Sequence, residues 1–591
     1  MDLENPAKGT SWSMAEISFP LRNGKWKKTL AEAENMALML RDSSKNIFLD
    51  DDPFPDLILG AIKKYEYINE MCRAPYLNAF LYKASDVMDH ERAVLFQKIK
   101  EKTEQIYDLL MPLELQFSCL SDRILNKLGN SLELKEYRYV FARLIEYKPY
   151  LLSEPEEKLI KARKLSNRLG LVSDFDRLMS SLLFHKKIKG SFIRINISRA
   201  LNLLCSSDRA TRTDVFKGFM EALAKIGSSC LSILNSLVYE NNNESGLRGY
   251  ATALRMSSMR NDISFSLLTN MMDAVAQNYP LVSKYYEIKS CLLGIDDFKI
   301  FDISAPMIDQ SSILNFSEAR ELILEALDAF HPAFAAAALD IFEKRLIDAE
   351  MREDKQNGAF CKCLAPSQKP YISLKYTGSM RSVLELAHEI GHGIQYLLSA
   401  EKSYLNFTPV PVMSETASTF VETLISNHIL KSDQLREIRH EVVASVIESK
   451  ILTVFRQNMI TIFEKTVHEM RRTGVLNEED ICQVWFDENR RLYGDAVELA
   501  PEYRWGWIYI PHIIHHHYYC YSYIFGSLVS LLLFTMYEKE NKFAGDIVDL
   551  FASGATQSPI SIIKRTGLNI NERTSWDFFF EYVEELINFI S

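Results

Sequence analysis

Apolar residues recur at three- and four-residue spacing, with charged residues between them, over long stretches such as Leu30–Leu40, Ser317–Arg345 and Glu437–Arg472. That period puts the apolar side chains on one face of an α-helix, so the chain is expected to be mainly α. The period changes to two in one place. Tyr371-Ile372-Ser373-Leu374-Lys375-Tyr376 alternates apolar and polar residues after Pro370, which suits a short strand with its proline at the start. Thr377-Gly378-Ser379 then turns the chain, and Ser379 or Thr377 is expected to cap a helix from about Met380 through Leu398, with Leu384, Ala387 and Gly391 on or near its packed side. After a loop at Asn406–Pro411, a second helix is expected within Val412–Glu422, with Ser414 as its N-cap.

The helix from Met380 carries His388-Glu389-Ile390-Gly391-His392. Residues i and i+4 share a helical face, so both imidazoles can reach one metal ion, while Glu389, turned by about 100° from His388, can address a water on that ion. His-Glu-x-x-His is therefore the pattern of a zinc site with its own general base. Two imidazoles leave a tetrahedral ion short of one protein ligand and a water. Glu415, 23 positions after His392, is the leading candidate for the third ligand, because one helix can end and a second can pack back within that distance. His428 and His440 are weaker rivals and read as surface or core histidines. Glu422 lies two turns beyond Glu415 on roughly the same face, and reads equally as an acceptor orienting an imidazole N–H or as a solvated carboxylate.

The chain has 591 residues, enough for at least two lobes, and a formal net charge of -10 with no basic block. Nucleic acid is thus an unexpected partner. Nine cysteines at irregular spacing suit reduced thiols in a cytoplasm, and Cys361-Lys362-Cys363 suits buried or incidental thiols rather than a metal site. Charged residues scattered through Met1–Arg22 do not fit a secretion signal. The segment Tyr518–Tyr537 has no charged residue and is long enough to span a bilayer, which leaves a membrane-attached metalloprotease as an alternative. Its first half is mostly Tyr and Ser and its apolar second half is too short to span alone, so a buried core helix without stable membrane association is expected. Candidate ligands concentrate after residue 380, which suggests an N-terminal helical region (1–200) and a catalytic region (201–591).

Tyr371–His392 together with Ser414-Glu415-Thr416-Ala417-Ser418 resembles the M3 family of zinc metallopeptidases, in its oligoendopeptidase F branch. Phe301–Pro306, Asp354–Cys361 and Leu151–Glu157 are similar to further segments of that family, while Gly393-Ile394-Gln395-Tyr396 departs from it. The resemblance implies a large two-lobed helical zincin of the gluzincin type. It would have a small β element beside the zinc helix and a deep channel admitting short unfolded peptides. It implies one Zn2+ ion per chain held by His388, His392 and Glu415, with Glu389 as base. A zinc-stabilised peptide-binding protein without turnover is the other alternative.

Attack on an amide carbonyl creates an oxyanion that needs hydrogen-bond donors. By composition, Trp507–Gly526 reads as an aromatic core segment with a small histidine run. The resemblance instead gives His512 the family's histidine position and makes Tyr519, Tyr521 and Tyr523 the tyrosine candidates, with Tyr523 and His512 favoured and Tyr519 next. His515, His516 and His517 fall outside that pattern, and a partly exposed loop is expected there.

Overall fold

Helices dominate the computed structural model, which describes residues 5–47, 54–188, 190–307, 314–432, 439–540 and 542–591. Leu30–Leu40 lies inside a helix Lys25–Ile47. Ser317–Arg345 splits into Phe316–Phe330 and Pro332–Glu343. Pro332 lacks the N–H that would continue the first helix, and it opens the second at its first position, where His331 Nδ1 accepts from Ala333 N–H at 3.1 Å. Glu437 and Ile438 lie outside the described residues. The rest of that stretch forms Arg439–Lys450 and Arg456–Arg471, joined by a π-helical turn Ile451–Phe455.

The chain forms two compact units. One comprises Met1–Glu154, Ile313–Ile425 and Leu533–Leu568, and the other Pro155–Ser312, Ser426–Leu532 and Asn569–Ser591. Each draws residues from both sides of position 200.

In the first unit, N-terminal helices bury Leu30, Ala33, Ile68, Ile106 and Leu110 in one core. A three-stranded sheet follows, and we number all strands in chain order. A separate hairpin in the second unit supplies β1 (Phe184–Ile188) and β2 (Ser191–Ile195), and the sheet contains β3 (Ile347–Asp348), β4 (Phe360–Lys362) and β5 (Tyr371–Ser373). β5 is central: it runs parallel to β3, with Ile372 opposite Ile347, and antiparallel to β4, with Ile372 opposite Cys361. The strand expected over Tyr371–Tyr376 is therefore shorter, and it is paired on both sides. Leu374 and Tyr376 keep pairing on the β3 side only, donating to Asp348 and Ala349 carbonyls. Of the two outer strands, β4 packs on the helix Met380–Leu398.

Lys355 fastens the preceding loop to this sheet. Its ammonium donates to the Asp348 carbonyl at 2.6 Å and the Leu374 carbonyl at 2.7 Å, and pairs with the Asp348 carboxylate at 3.1 Å. In the second unit, Asp302 plays a comparable part for Phe301–Pro306. It is fully buried and receives Arg212 at 2.7 Å and Arg209 at 2.9 Å. Both arginines stand at the start of helix α1 (Arg209–Leu247), whose N-cap Asp208 accepts from Ala210 and Thr211. Among the described residues, α1 is the one helix long and apolar enough to cross a membrane, and half of its apolar window is buried. The segment proposed as a possible anchor forms a helix from Tyr521 to Lys539 in which Ser522, Ser527 and Ser530 are all fully buried, as a core helix requires.

Candidate metal centre

Ser379 caps helix α2 (Met380–Leu398), its Oγ accepting from Ser382 N–H at 3.3 Å. Thr377 bonds to the Ser379 hydroxyl instead of capping. The next helix, α3 (Pro411–Lys431), begins three residues before the expected Ser414 cap, and a short helix Tyr404–Phe407 occupies part of the expected loop. Pro411 explains the earlier start, since its fixed φ and missing N–H suit a first helical position. α2 and α3 meet backbone to backbone. A Cβ on Gly391 would stand 2.6 Å from Ser418 Cα and 2.8 Å from the Ala417 carbonyl oxygen, a spacing that only glycine allows.

This close approach brings three donors together. His388 Nε2 lies 3.3 Å from Glu415 Oε2 and His392 Nε2 lies 3.8 Å from the same oxygen. Ligand atoms of all three residues fall within 4.8 Å of one another. Atoms that each sit about 2.0–2.2 Å from a common ion must lie roughly 3–4 Å apart, so the set fits a zinc-sized cation. The outer contacts are also built. His388 Nδ1 makes a short hydrogen bond with Glu422 Oε1, the Ser414 backbone serves the His392 ring, and Ser418 Oγ donates to Glu415 Oε2 at 3.3 Å. Glu422 is buried, so of its two expected readings the structure has the acceptor that orients an imidazole, not the solvated carboxylate.

The electrostatics follow from this crowding. Burial lowers the His392 pKa to about 4, so its ring is neutral and offers a lone pair. Burial would lower His388 as well, but hydrogen bonds to Glu415 and Glu422 outweigh it and push its pKa well above the usual histidine value. Positive charge is thus favoured among these donors. Burial also pushes the Glu389 carboxyl up to about 8, and its Oε2 is buried with no hydrogen-bond partner, as a group awaiting a water or substrate proton would be. His428 and His440 belong to no metal-type cluster among the described residues, and the His440 ring packs on Phe589 at 5.3 Å.

In the second unit the structure brings His512, Tyr519 and Tyr523 together. His512 Nε2 lies 3.2 Å from Tyr523 Oη, the His512 and Tyr519 rings stack at 5.9 Å, and the Tyr519 and Tyr523 rings meet edge-on at 5.4 Å. Tyr521 is different. It begins helix α5 (Tyr521–Lys539), is fully buried, and its hydroxyl accepts from Asn261 Nδ2 at 2.6 Å and bonds Ser257 Oγ at 2.9 Å. It is a core residue and leaves the set of oxyanion candidates. His517 also departs from expectation: its side chain is only 6% exposed and faces Glu464.

The model of Peptidase family M3 matches residues 202–578, and the Oligopeptidase F model matches residues 119–167. The chain belongs to peptidase family M3. It is accordingly an enzyme, a metallo-endopeptidase that hydrolyses peptide bonds. An oligoendopeptidase F homolog of Lactococcus lactis is 23% identical over 95% of this chain and 94% of its own length. Oligopeptidase PepF of Bacillus subtilis is 25% identical over 74% of this chain and 66% of its own length. The fold is that of the M3 enzymes: oligoendopeptidase-F from Enterococcus faecium superposes with a TM-score of 0.75 over 97% of this chain and 98% of its own, at 19% identity.

Proposed function

We propose that this M3 peptidase is zinc-dependent and hydrolyses internal bonds of short unfolded peptides, with His388, His392 and Glu415 holding a single catalytic Zn2+ ion and Glu389 acting as general base. The observation that carries this reading is the convergence of those three donors beside the buried, unpartnered Glu389 Oε2. Zinc bound there would lower the pKa of its water toward ~7 and polarise the scissile carbonyl.

The side chains perform the remaining tasks. Glu389 takes the proton of the attacking water and returns it to the departing amine, for which a carboxyl raised by burial is suited. Glu422 holds the His388 ring so that Nε2 faces Glu415. We assign His512 and Tyr523, whose Nε2 and Oη lie 3.2 Å apart, to stabilising the oxyanion, with Tyr519 beside them. We assign the catalytic region to 201–591, supported by the family match over 202–578. Nine free thiols and bacterial oligopeptidase relatives support a cytoplasmic location.

Glu389→Gln tests the proposal. It should keep its zinc and lose turnover of a quenched peptide by at least about a hundredfold, while His388→Ala and Glu415→Ala should lose the ion held at this centre. A Glu389→Gln enzyme that cleaves as fast as the wild type would overturn the assignment, and a zinc stoichiometry in Glu415→Ala equal to that of the wild type would remove Glu415 from the catalytic ligand set.

A further inference from the structure

A second cluster of metal-type donors lies wholly within the other compact unit. Helix α4 (Arg456–Arg471) carries Glu464 and His468 one turn apart, and His517 comes from the histidine run before α5. His517 Nδ1 lies 3.2 Å from Glu464 Oε1 and His468 Nε2 lies 3.8 Å from the same atom. These separations repeat those of the first centre, 3.3 and 3.8 Å around Glu415 Oε2. The side chains are more secluded, with His468 and Glu464 each 3% exposed.

Around His468 the hydrogen bonds determine which ring nitrogen is free. Asn242 Nδ2 donates to the His468 carbonyl at 2.8 Å, so its amide oxygen must be the partner that faces His468 Nδ1 at 3.0 Å. His468 Nδ1 therefore carries the proton and Nε2 presents a bare lone pair. That Nε2 is buried with no hydrogen-bond partner. Across from it, Glu464 accepts the Tyr518 backbone N–H at 2.9 Å on both oxygens. A lone pair and a carboxylate oxygen 3.8 Å apart are too distant to share a proton, yet an ion about 2.0–2.1 Å from each bridges them. A cavity of about 140 Å³ lined by His468, Asn242 and Tyr518 adjoins the cluster.

From this geometry we infer that Glu464, His468 and His517 form a second binding site for one divalent transition cation of the zinc type. Imidazole donors with one carboxylate favour such an ion over calcium or magnesium, which prefer oxygen. Its part is structural. Tyr518 holds φ +56°, an unusual conformation for an aromatic residue, and its N–H is bound by the same Glu464 carboxylate. An ion there would fasten the strained turn just ahead of Tyr519 and Tyr523 to α4. Arg168, whose guanidinium donates to the His515 carbonyl at 3.0 Å, is a cation that also acts on Glu464 and opposes a bound ion.

The test is zinc stoichiometry of the full chain, by inductively coupled plasma mass spectrometry after equilibration with micromolar zinc and gel filtration. Wild type should hold two ions per chain, and His517→Gln and His468→Gln one each. Glu415→Ala, in which the second cluster is intact, should also retain one ion and show a zinc-dependent rise in Tm. One ion in the wild type, with none in Glu415→Ala, overturns the second site. Two ions in both His468→Gln and His517→Gln overturn it as well.

Discussion

Gly391 and Ser418 meet with no room for a side chain between them: a Cβ on Gly391 would lie 2.6 Å from Ser418 Cα. Backbone atoms cannot yield as a flexible side chain does, so Gly391→Ala must move α3 away from α2. Overpacking of this kind costs about 1–3 kcal/mol. Because Glu415 lies one turn before Ser418 on α3, the same shift withdraws a proposed ligand from the two histidines. Gly391→Ala should therefore lower Tm and weaken zinc binding roughly tenfold or more. Competition with a chromophoric chelator measures the second effect, and wild-type affinity in that variant would show that this contact does not position Glu415.

Glu422 touches the centre through His388 Nδ1, and this permits a graded experiment. Glu422→Gln keeps an acceptor but removes the charge that makes the imidazole more basic, whereas Glu422→Ala removes both. Zinc affinity should fall in the order wild type, Gln, Ala, with the alanine variant weaker by about 10–100-fold. Equal affinities for all three would reduce Glu422 to a packing residue.

The tyrosines separate by position on α5. Tyr523→Phe should lower kcat by roughly 10²–10³ with KM little changed, since the hydroxyl is proposed to act on the oxyanion alone. Tyr521→Phe should leave kcat in place and lower Tm, because Asn261 and Ser257 lose a buried partner worth about 1 kcal/mol. A kinetic defect in Tyr521→Phe equal to that of Tyr523→Phe would invalidate the division.

Much of the first centre is legible in the sequence because its determinants are local. A cap at Ser379, an i,i+4 histidine pair and a break before the next helix can all be read along the chain. The start of α3 was less clear, since Ser414 and Pro411 both signal a helix start and the proline prevailed. The Tyr519–Tyr523 segment needed the third dimension: only the helix beginning at Tyr521 separates the paired rings from the buried one. Glu464 and His468 gave no signal at all. Their spacing is common on helices, and their partner His517 sits in a polar run whose burial comes from its packing against α4.

Asp262 offers a pH-dependent test away from both clusters. It follows the helix Ala253–Arg260 with φ +56°, and burial alone pushes its carboxyl up to about 7. Folding thus favours the protonated form. Between the usual aspartate value near 4 and the folded value near 7, the native state binds more protons than the unfolded state, so stability from this group falls as pH rises through that window. The favourable term is complete at acid pH and is gone above about 7, where the half-buried carboxylate is charged. Asparagine has the same shape, tolerates the left-handed backbone and cannot ionise. Asp262→Asn should therefore match the wild-type Tm near pH 4 and exceed it increasingly up to about pH 8. A Tm difference independent of pH over that range would show that Asp262 ionises in the folded protein as it does in the unfolded chain.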